Sequence, residues 1–97
     1  MEEVFYYNEL FDLYGELLTD KQKSYFKDYY FDNLSYSEMA LKYGVSRNAS
    51  FKQLHNVIEK LKEYEEKLKL YEKRNMILSL CSKIKDEDLR EKFETIL

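Results

Sequence analysis

The most informative segment of this 97-residue chain reads Leu34-Ser35-Tyr36-Ser37-Glu38-Met39-Ala40-Leu41-Lys42-Tyr43-Gly44-Val45-Ser46-Arg47. Ala40 supplies a small side chain where two helices would touch, and Gly44, four residues later, tolerates the left-handed backbone of a tight turn. Val45 follows as an apolar plug between the helices, and Ser46 is a good N-cap for a second helix. This spacing predicts a helix-turn-helix.

The sequence around this segment predicts further helices, each introduced by a capping residue. Thr19 with Gln22, and Ser35 with Glu38, each fit the capping box, in which two side chains satisfy backbone N–H groups reciprocally. Asp86 is placed to cap a short C-terminal helix. The chain has no Pro and only two Gly, which favours a few helices over a turn-rich β fold. We therefore expect an all-α bundle, in which a long helix follows the reading helix of the helix-turn-helix.

The long helix is expected to run from Arg47 to about Ser82 unless it bends, because no helix breaker interrupts it. Apolar residues recur along it at alternating spacings of three and four, which is the heptad pattern of a helix–helix seam. These positions are Leu54, Val57, Leu61, Tyr64, Leu68 and Tyr71. The seam could cover the first helix of the same chain or form a homodimer, and we favour the homodimer. We expect a helix-turn-helix domain over residues 1–62 and a packing or dimerisation element over residues 63–97.

Charge is distributed unevenly along the chain. The net charge is −3, which is unusual for a DNA-binding protein, since affinity for DNA depends largely on neutralising phosphates. Residues 1–34 nevertheless hold eight acids against three bases, whereas residues 42–62 hold five bases against one acid. The one clearly positive stretch thus coincides with the predicted reading helix.

Candidate nucleic-acid contacts lie in and beside that helix. Arg47 could pair with guanine or phosphate, and Asn48 with adenine. Lys42 and Lys52 are better suited to phosphates, which position a protein without specifying sequence. The candidate set is Lys42, Ser46, Arg47, Asn48, Phe51, Lys52 and His55. The alternative is an ordinary solvated helix face.

Other function classes find little support in the sequence. His55 is the only histidine and has no second ligand or nucleophile at a motif spacing, so we expect no enzymatic activity, no metal, no cofactor and no small-molecule substrate. The single cysteine, Cys81, lies in an apolar run and is expected to pack inside a protein of the reducing cytoplasm. The acidic start, Met1-Glu2-Glu3, does not look like a secretory signal, and no apolar run reaches the roughly 18 residues that would span a membrane.

Two rival interpretations remain open. The ten tyrosines fit a protein–protein interaction module, because tyrosine is enriched at interfaces. RNA or a ribonucleoprotein is also possible as a partner, since no residue pattern separates A-form RNA from DNA here.

Several segments resemble known helix-turn-helix proteins. Leu17-Leu18-Thr19-Asp20-Lys21-Gln22-Lys23, Glu38-Met39-Ala40 and Gly44-Val45-Ser46-Arg47 are similar to region 4 of sigma factors. They are still more similar to the YlxM family, with its Leu-Leu-Thr-Asp-Lys-Gln opening. Leu10-Phe11-Asp12-Leu13-Tyr14-Gly15 and Glu63-Tyr64-Glu65 extend this resemblance, which covers residues 8 to about 71.

The resemblance implies a DNA-binding helix-turn-helix regulator, and an association with the components of the signal recognition particle pathway, whose GTPase genes lie beside those of the family. The sequence departs from the family pattern within the reading helix. Ser50 stands where the family usually has Val, which puts a polar group near the helix-turn-helix core, and Asn48 stands where Gln is common. These departures bear on sequence reading more than on the fold.

Overall fold

A computed structural model describes the backbone of residues 2–97 and the side chains from Glu3 onward. The described chain is built from helices, as expected for an all-α bundle, with a short 3-10 turn after the first of them. The helices are α1 (Glu2–Tyr14), α2 (Asp20–Tyr30), α3 (Tyr36–Tyr43), α4 (Arg47–Leu68), α5 (Leu70–Cys81) and α6 (Glu87–Ile96). None of these helices is both long enough and apolar enough to cross a lipid bilayer.

The helix starts follow the predicted caps. The Gln22 N–H donates to Thr19 Oγ1 at 3.1 Å, and the Thr19 N–H donates to Gln22 Oε1 at 2.9 Å. Ser35 and Glu38 form the same reciprocal pair at the start of α3. Each capping box satisfies two of the backbone N–H groups that a helix N-terminus otherwise leaves unpaired. Both predicted capping boxes are confirmed.

The backbone of the turn between α3 and α4 has the predicted conformation, but the side chain of Val45 does not pack as predicted. Gly44 takes the left-handed conformation, with φ at +66°, and ends α3 as a C-terminal glycine does. The prediction that Val45 plugs the gap between the helices is wrong, because its side chain is 37% exposed. Its N–H bonds back to the Ala40 carbonyl, and its side chain lies at the surface. The buried residues of α3 are Met39 and Ala40, and the first buried residue of α4 is Ser50.

The main core forms where α1, α2 and α4 pack together. Its buried members are Leu10, Tyr14, Leu18, Phe26, Val57, Ile58 and Leu61. The heptad positions Leu54, Val57 and Leu61 are therefore buried within one chain, and their assignment to a dimer interface is corrected. The reason is that α1 and α2 of the same chain pack against α4 and cover these side chains.

The helix after the reading helix is not continuous to Ser82. It ends at Leu68, and Lys69 takes a left-handed conformation with φ at +56° before α5 begins. The Lys69 N–H still bonds to the Glu65 carbonyl at 2.8 Å. The heptad pattern therefore predicted the helical segments correctly but not the bend between them.

Two side chains from outside α5 satisfy the N–H groups at its start. The Leu70 N–H donates to the Tyr14 hydroxyl at 3.0 Å, while the Tyr71 and Glu72 N–H groups donate to the Glu65 carboxylate at 3.0 and 3.2 Å. The Tyr14 hydroxyl itself donates to Glu65 at 2.6 Å. These bonds replace those lost at the bend, and so offset the roughly 1–2 kcal/mol that a left-handed residue costs.

The bend lets α5 return along α1. The rings of Tyr6 and Tyr71 meet edge to face at 5.2 Å, and Arg74 forms an ion pair with Glu9. Tyr71 thus packs within the chain, whereas Leu68 is exposed. The expected domain division at residue 62 falls inside α4, and the change of direction comes at Lys69.

Candidate nucleic-acid interface

The N-terminal half of α4 forms an exposed, polar face. Ser46 Oγ accepts the Ala49 N–H at 3.0 Å, so α4 starts abruptly after the turn, as predicted. All seven predicted contact residues are exposed. Six of them lie together within Ser46–His55, and the seventh, Lys42, lies in the last turn of α3. The arrangement is that of a helix-turn-helix, in which the second helix can enter a groove N-terminus first.

Ser50 fixes the orientation of α4 against α3. Its side chain is completely buried. Its hydroxyl lies 2.7 Å from the Tyr36 carbonyl in the first turn of α3 and 2.8 Å from the Arg47 carbonyl, and it can donate to either. A buried hydroxyl with such a partner carries no desolvation penalty of the kind an unpaired one would. The polar residue at this core position is thus accommodated by a bond that links the two helices.

Asp28 of α2 holds the other end of α3. Its carboxylate is buried, and it accepts Lys42 Nζ at 2.8 Å and the Tyr43 hydroxyl at 2.5 Å. The hydrogen bond that Lys42 donates to Asp28 raises the pKa of Lys42, and burial together with the same carboxylate raises the pKa of Tyr43. Lys42 therefore stays charged, but its charge is balanced by a neighbour.

An aromatic row flanks the exposed face of α4. Tyr36 stacks on Tyr29 with ring centroids 5.1 Å apart and meets Phe51 edge to face at the same distance. Phe51 in turn contacts His55 at 4.2 Å. Arg47 lies over the Tyr36 ring at 5.6 Å, within cation–π range. Burial raises the pKa of Tyr36 to about 12.

The positive charge available to a ligand is smaller than the sequence suggested. Of the five bases in residues 42–62, Lys42 is paired with Asp28, and Lys62 lies 3.7 Å from Glu59. Among the side chains described for residues 3–97, no carboxylate lies within 4 Å of Arg47, Lys52 or Lys60, and Lys60 lies away from the candidate face, over the Tyr64 ring. Arg47 and Lys52 are the free charges of the candidate face.

Two residues that shape this surface were missed in the sequence. Asp28 carried a signal, since it is an acid in an amphipathic helix three residues after the inward-facing Tyr25. Tyr36 carried none, because its role depends on how Arg47 and Phe51 are brought to it by the turn. The predicted contact residues lie together at the start of α4, except for Lys42, which lies on α3.

The comparisons with known proteins agree with this architecture. The family described as "Putative helix-turn-helix protein, YlxM / p13 like" (UPF0122) matches residues 1–97. A UPF0122 protein of Mycoplasma mycoides is 38% identical over 92 residues, covering 95% of this chain and 81% of the relative. A UPF0122 protein of Shouchella clausii is 44% identical over 78 residues, covering 80% and 72%. One from Bacillus cereus strain AH187 is 45% identical over 78 residues, covering 80% and 71%.

The family match includes both the capped turn and the α5–α6 segment after it. With the helix-turn-helix geometry described above, this shows that the chain belongs to the UPF0122 family of YlxM / p13 like helix-turn-helix proteins.

Proposed function

We propose that this protein is a DNA-binding regulator that reads duplex DNA through the exposed N-terminal half of α4. The observation that carries the proposal is the way this face is presented. Ser50 links α4 to α3, and Asp28 links α3 to α2, while Arg47 and Lys52 project without an ion pair among the described side chains. A rigidly held helix with free bases suits groove binding, because the position of the helix need not be ordered again on contact.

The residues divide into two roles. Arg47 and Asn48, in the first turn, are placed to meet base edges, where Arg pairs with guanine and Asn with adenine. Phe51 could contact a thymine methyl group in the same groove. Lys52, one turn further on, is suited to a phosphate, and Lys42 is a weaker candidate because Asp28 balances its charge. The modest number of free bases predicts moderate rather than high affinity.

The cellular setting of the proposal comes from the family resemblance. We place the protein in the cytoplasm, without enzymatic activity, and in association with components of the signal recognition particle pathway. The association with the signal recognition particle pathway is supported by the family's gene neighbourhood. No residue of the candidate face specifies that association.

Selection from random pools tests the proposal directly. The protein is incubated with random duplex DNA and, separately, with random RNA, and the bound molecules are sequenced. Enrichment of a short duplex motif, lost in Arg47→Ala but kept in Lys92→Ala, would support DNA reading. Enrichment of RNA alone, or of no sequence in either pool, would contradict it.

A further inference from the structure

The C-terminal helices expose a large apolar surface. Met76 and Leu80, one turn apart on α5, are each 60% exposed, and Ile96 on α6 is 80% exposed. On α6 the apolar residues are four, three and one positions apart, so they share one helical face, and none of them is buried. They are Leu89, Phe93, Ile96 and Leu97.

The exposed residues of α5 are continuous with Phe5 of α1 and with Leu97 at the end of α6. An open groove along α5 is lined by Tyr71, Asn75, Met76 and Leu80, among others. A second groove shares Tyr71 and Asn75 with the first and continues to Leu78, Phe5 of α1 and Leu97 at the end of α6. We refer to α5, α6 and the connection between them, residues 70–97, as the C-terminal hairpin. Its apolar side reaches back to the N-terminal half of α1.

The chain exposes more surface than a compact monomer of its mass, which leaves area for an interface of standard size. A folded monomer of this mass is expected to expose about 6,000 Å², whereas this chain exposes 7042 Å². The excess, about 1,100 Å², is somewhat larger than the roughly 800 Å² that each partner contributes to a standard interface. The excess area comes from an elongated shape, since the molecule measures 55 × 25 × 23 Å.

The charges of the hairpin are complementary to themselves. Residues 70–85, which comprise α5 and the connection, hold four bases against one acid, and residues 86–97 hold five acids against two bases. In a two-fold dimer each patch meets the same patch of the other copy, so α5 of one chain can face α6 of the other. The basic segment 70–85 of each copy, in which Lys83 and Lys85 of the connection carry half of the bases, then lies against the acidic α6 of its partner.

From the apolar patch, the area and the charge pattern we infer that the occupant of this surface is a second copy of the chain. The two C-terminal hairpins pack across a two-fold axis as a four-helix bundle. Isolated helices shorter than about 12–15 residues are marginal in water, and the ten-residue α6 gains its stability from this packing. The homodimer is thus placed on α5 and α6 and not on the α4 seam. The inference does not depend on nucleic-acid binding.

Sedimentation equilibrium of the full chain tests the inference. The wild-type protein should sediment at twice its chain mass of 11.9 kDa, and Met76→Asp with Leu80→Asp should halve the sedimenting mass. These side chains are exposed in the single chain, so the variant should keep its helical circular dichroism spectrum. Leu41→Asp is the matched control, because Leu41 is 86% exposed on α3, and it should remain dimeric. A monomeric wild type, or a dimer that the hairpin variant leaves intact, would overturn the inference.

A measurement on the wild-type protein covers the case in which the variant does not fold. Amide hydrogen exchange is followed while the protein is diluted across the dimer–monomer transition. Protection should fall selectively in α6, while α3 and the first half of α4 keep theirs. Protection of α6 that does not change with concentration would also overturn the inference, as would loss spread evenly along the chain.

Discussion

The Ser50 hydroxyl lies 2.7 Å from the Tyr36 carbonyl and joins the reading helix to the first turn of the helix before it. Tyr36 also lies beneath the Arg47 guanidinium and beside the Phe51 ring. One buried bond therefore sets the position of the side chains that the proposed interface uses.

Replacing Ser50 by Ala should lower the free energy of unfolding by about 1 kcal/mol, the net value of a typical buried hydrogen bond. The measurement is urea denaturation followed by circular dichroism. Ser37→Ala is the matched control, since Ser37 is exposed on α3, and it should change stability by less than about 0.5 kcal/mol. Equal effects of the two substitutions would mean that the bond to Tyr36 contributes nothing.

Replacing Lys69 by Gly should stabilise the protein by up to about 1 kcal/mol, because Gly adopts positive φ without the clash that a Cβ brings. Lys67→Gly, two residues earlier inside α4, should instead destabilise it by about 1 kcal/mol. Thermal or urea unfolding of both variants gives the comparison. If α4 and α5 were one continuous helix, both glycines would destabilise the protein.

Replacing Tyr14 by Phe should make stability less dependent on alkaline pH. Burial, with the hydrogen bond to Glu65, raises the pKa of Tyr14 to about 12 in the folded protein, against about 10 when unfolded. A raised pKa means that the neutral phenol is favoured by folding. Its contribution is therefore complete below pH 10 and is lost as the pH rises toward 12.

The free energies of unfolding of wild type and Tyr14→Phe, measured in urea at pH values from neutral to 12, give the test. The wild type should be the more stable at neutral pH, because Phe cannot accept the Leu70 N–H or donate to Glu65. The gap between the two proteins should shrink above pH 10. A gap that stays constant up to pH 12 would refute this account of Tyr14.

Lys42 and Lys52 should differ as nucleic-acid contacts although both are exposed. Lys52→Ala should reduce the dependence of log affinity on log salt concentration by about one phosphate contact. Lys42→Ala should reduce it less, since the Lys42 ammonium is already paired with Asp28. Fluorescence anisotropy with a labelled duplex at several salt concentrations measures both slopes. If the salt dependence of affinity fell equally in the two variants, the prediction would be wrong, and Lys42 would have to leave Asp28 when DNA binds.

Local rules predicted the helices well, because capping residues act within three positions of themselves. Thr19, Ser35 and Ser46 each begin a helix at the expected place, and Gly44 ends α3. The bend at Lys69 escaped prediction because no residue near it is a breaker. Its cause is the bonding of Tyr14 and Glu65 to the start of α5, and a contact between residues 51 apart in sequence leaves no local pattern.

The candidate site was predictable as a set of exposed residues but not in its electrostatics. Helical periodicity places Arg47, Lys52 and His55 outward, and the structure agrees. The sequence could not show that Asp28 would neutralise Lys42, because that pairing joins two helices. The same limit applies to the seam, where periodicity marks Leu61 as buried but does not say which chain buries it.

The free bases of the candidate face, Arg47 and Lys52, are proposed to bind duplex DNA. The most direct measurement is the affinity for a duplex selected from the random pool, taken by anisotropy at increasing salt, for wild type and for Arg47→Ala with Lys52→Ala. Lys21→Ala with Lys92→Ala removes the same charge at exposed positions outside α4 and is the matched control. We predict that wild-type affinity falls steeply with salt, that the α4 variant loses specific binding, and that the control binds like wild type. Binding that is indifferent to salt, or equal in the two variants, would contradict the claim.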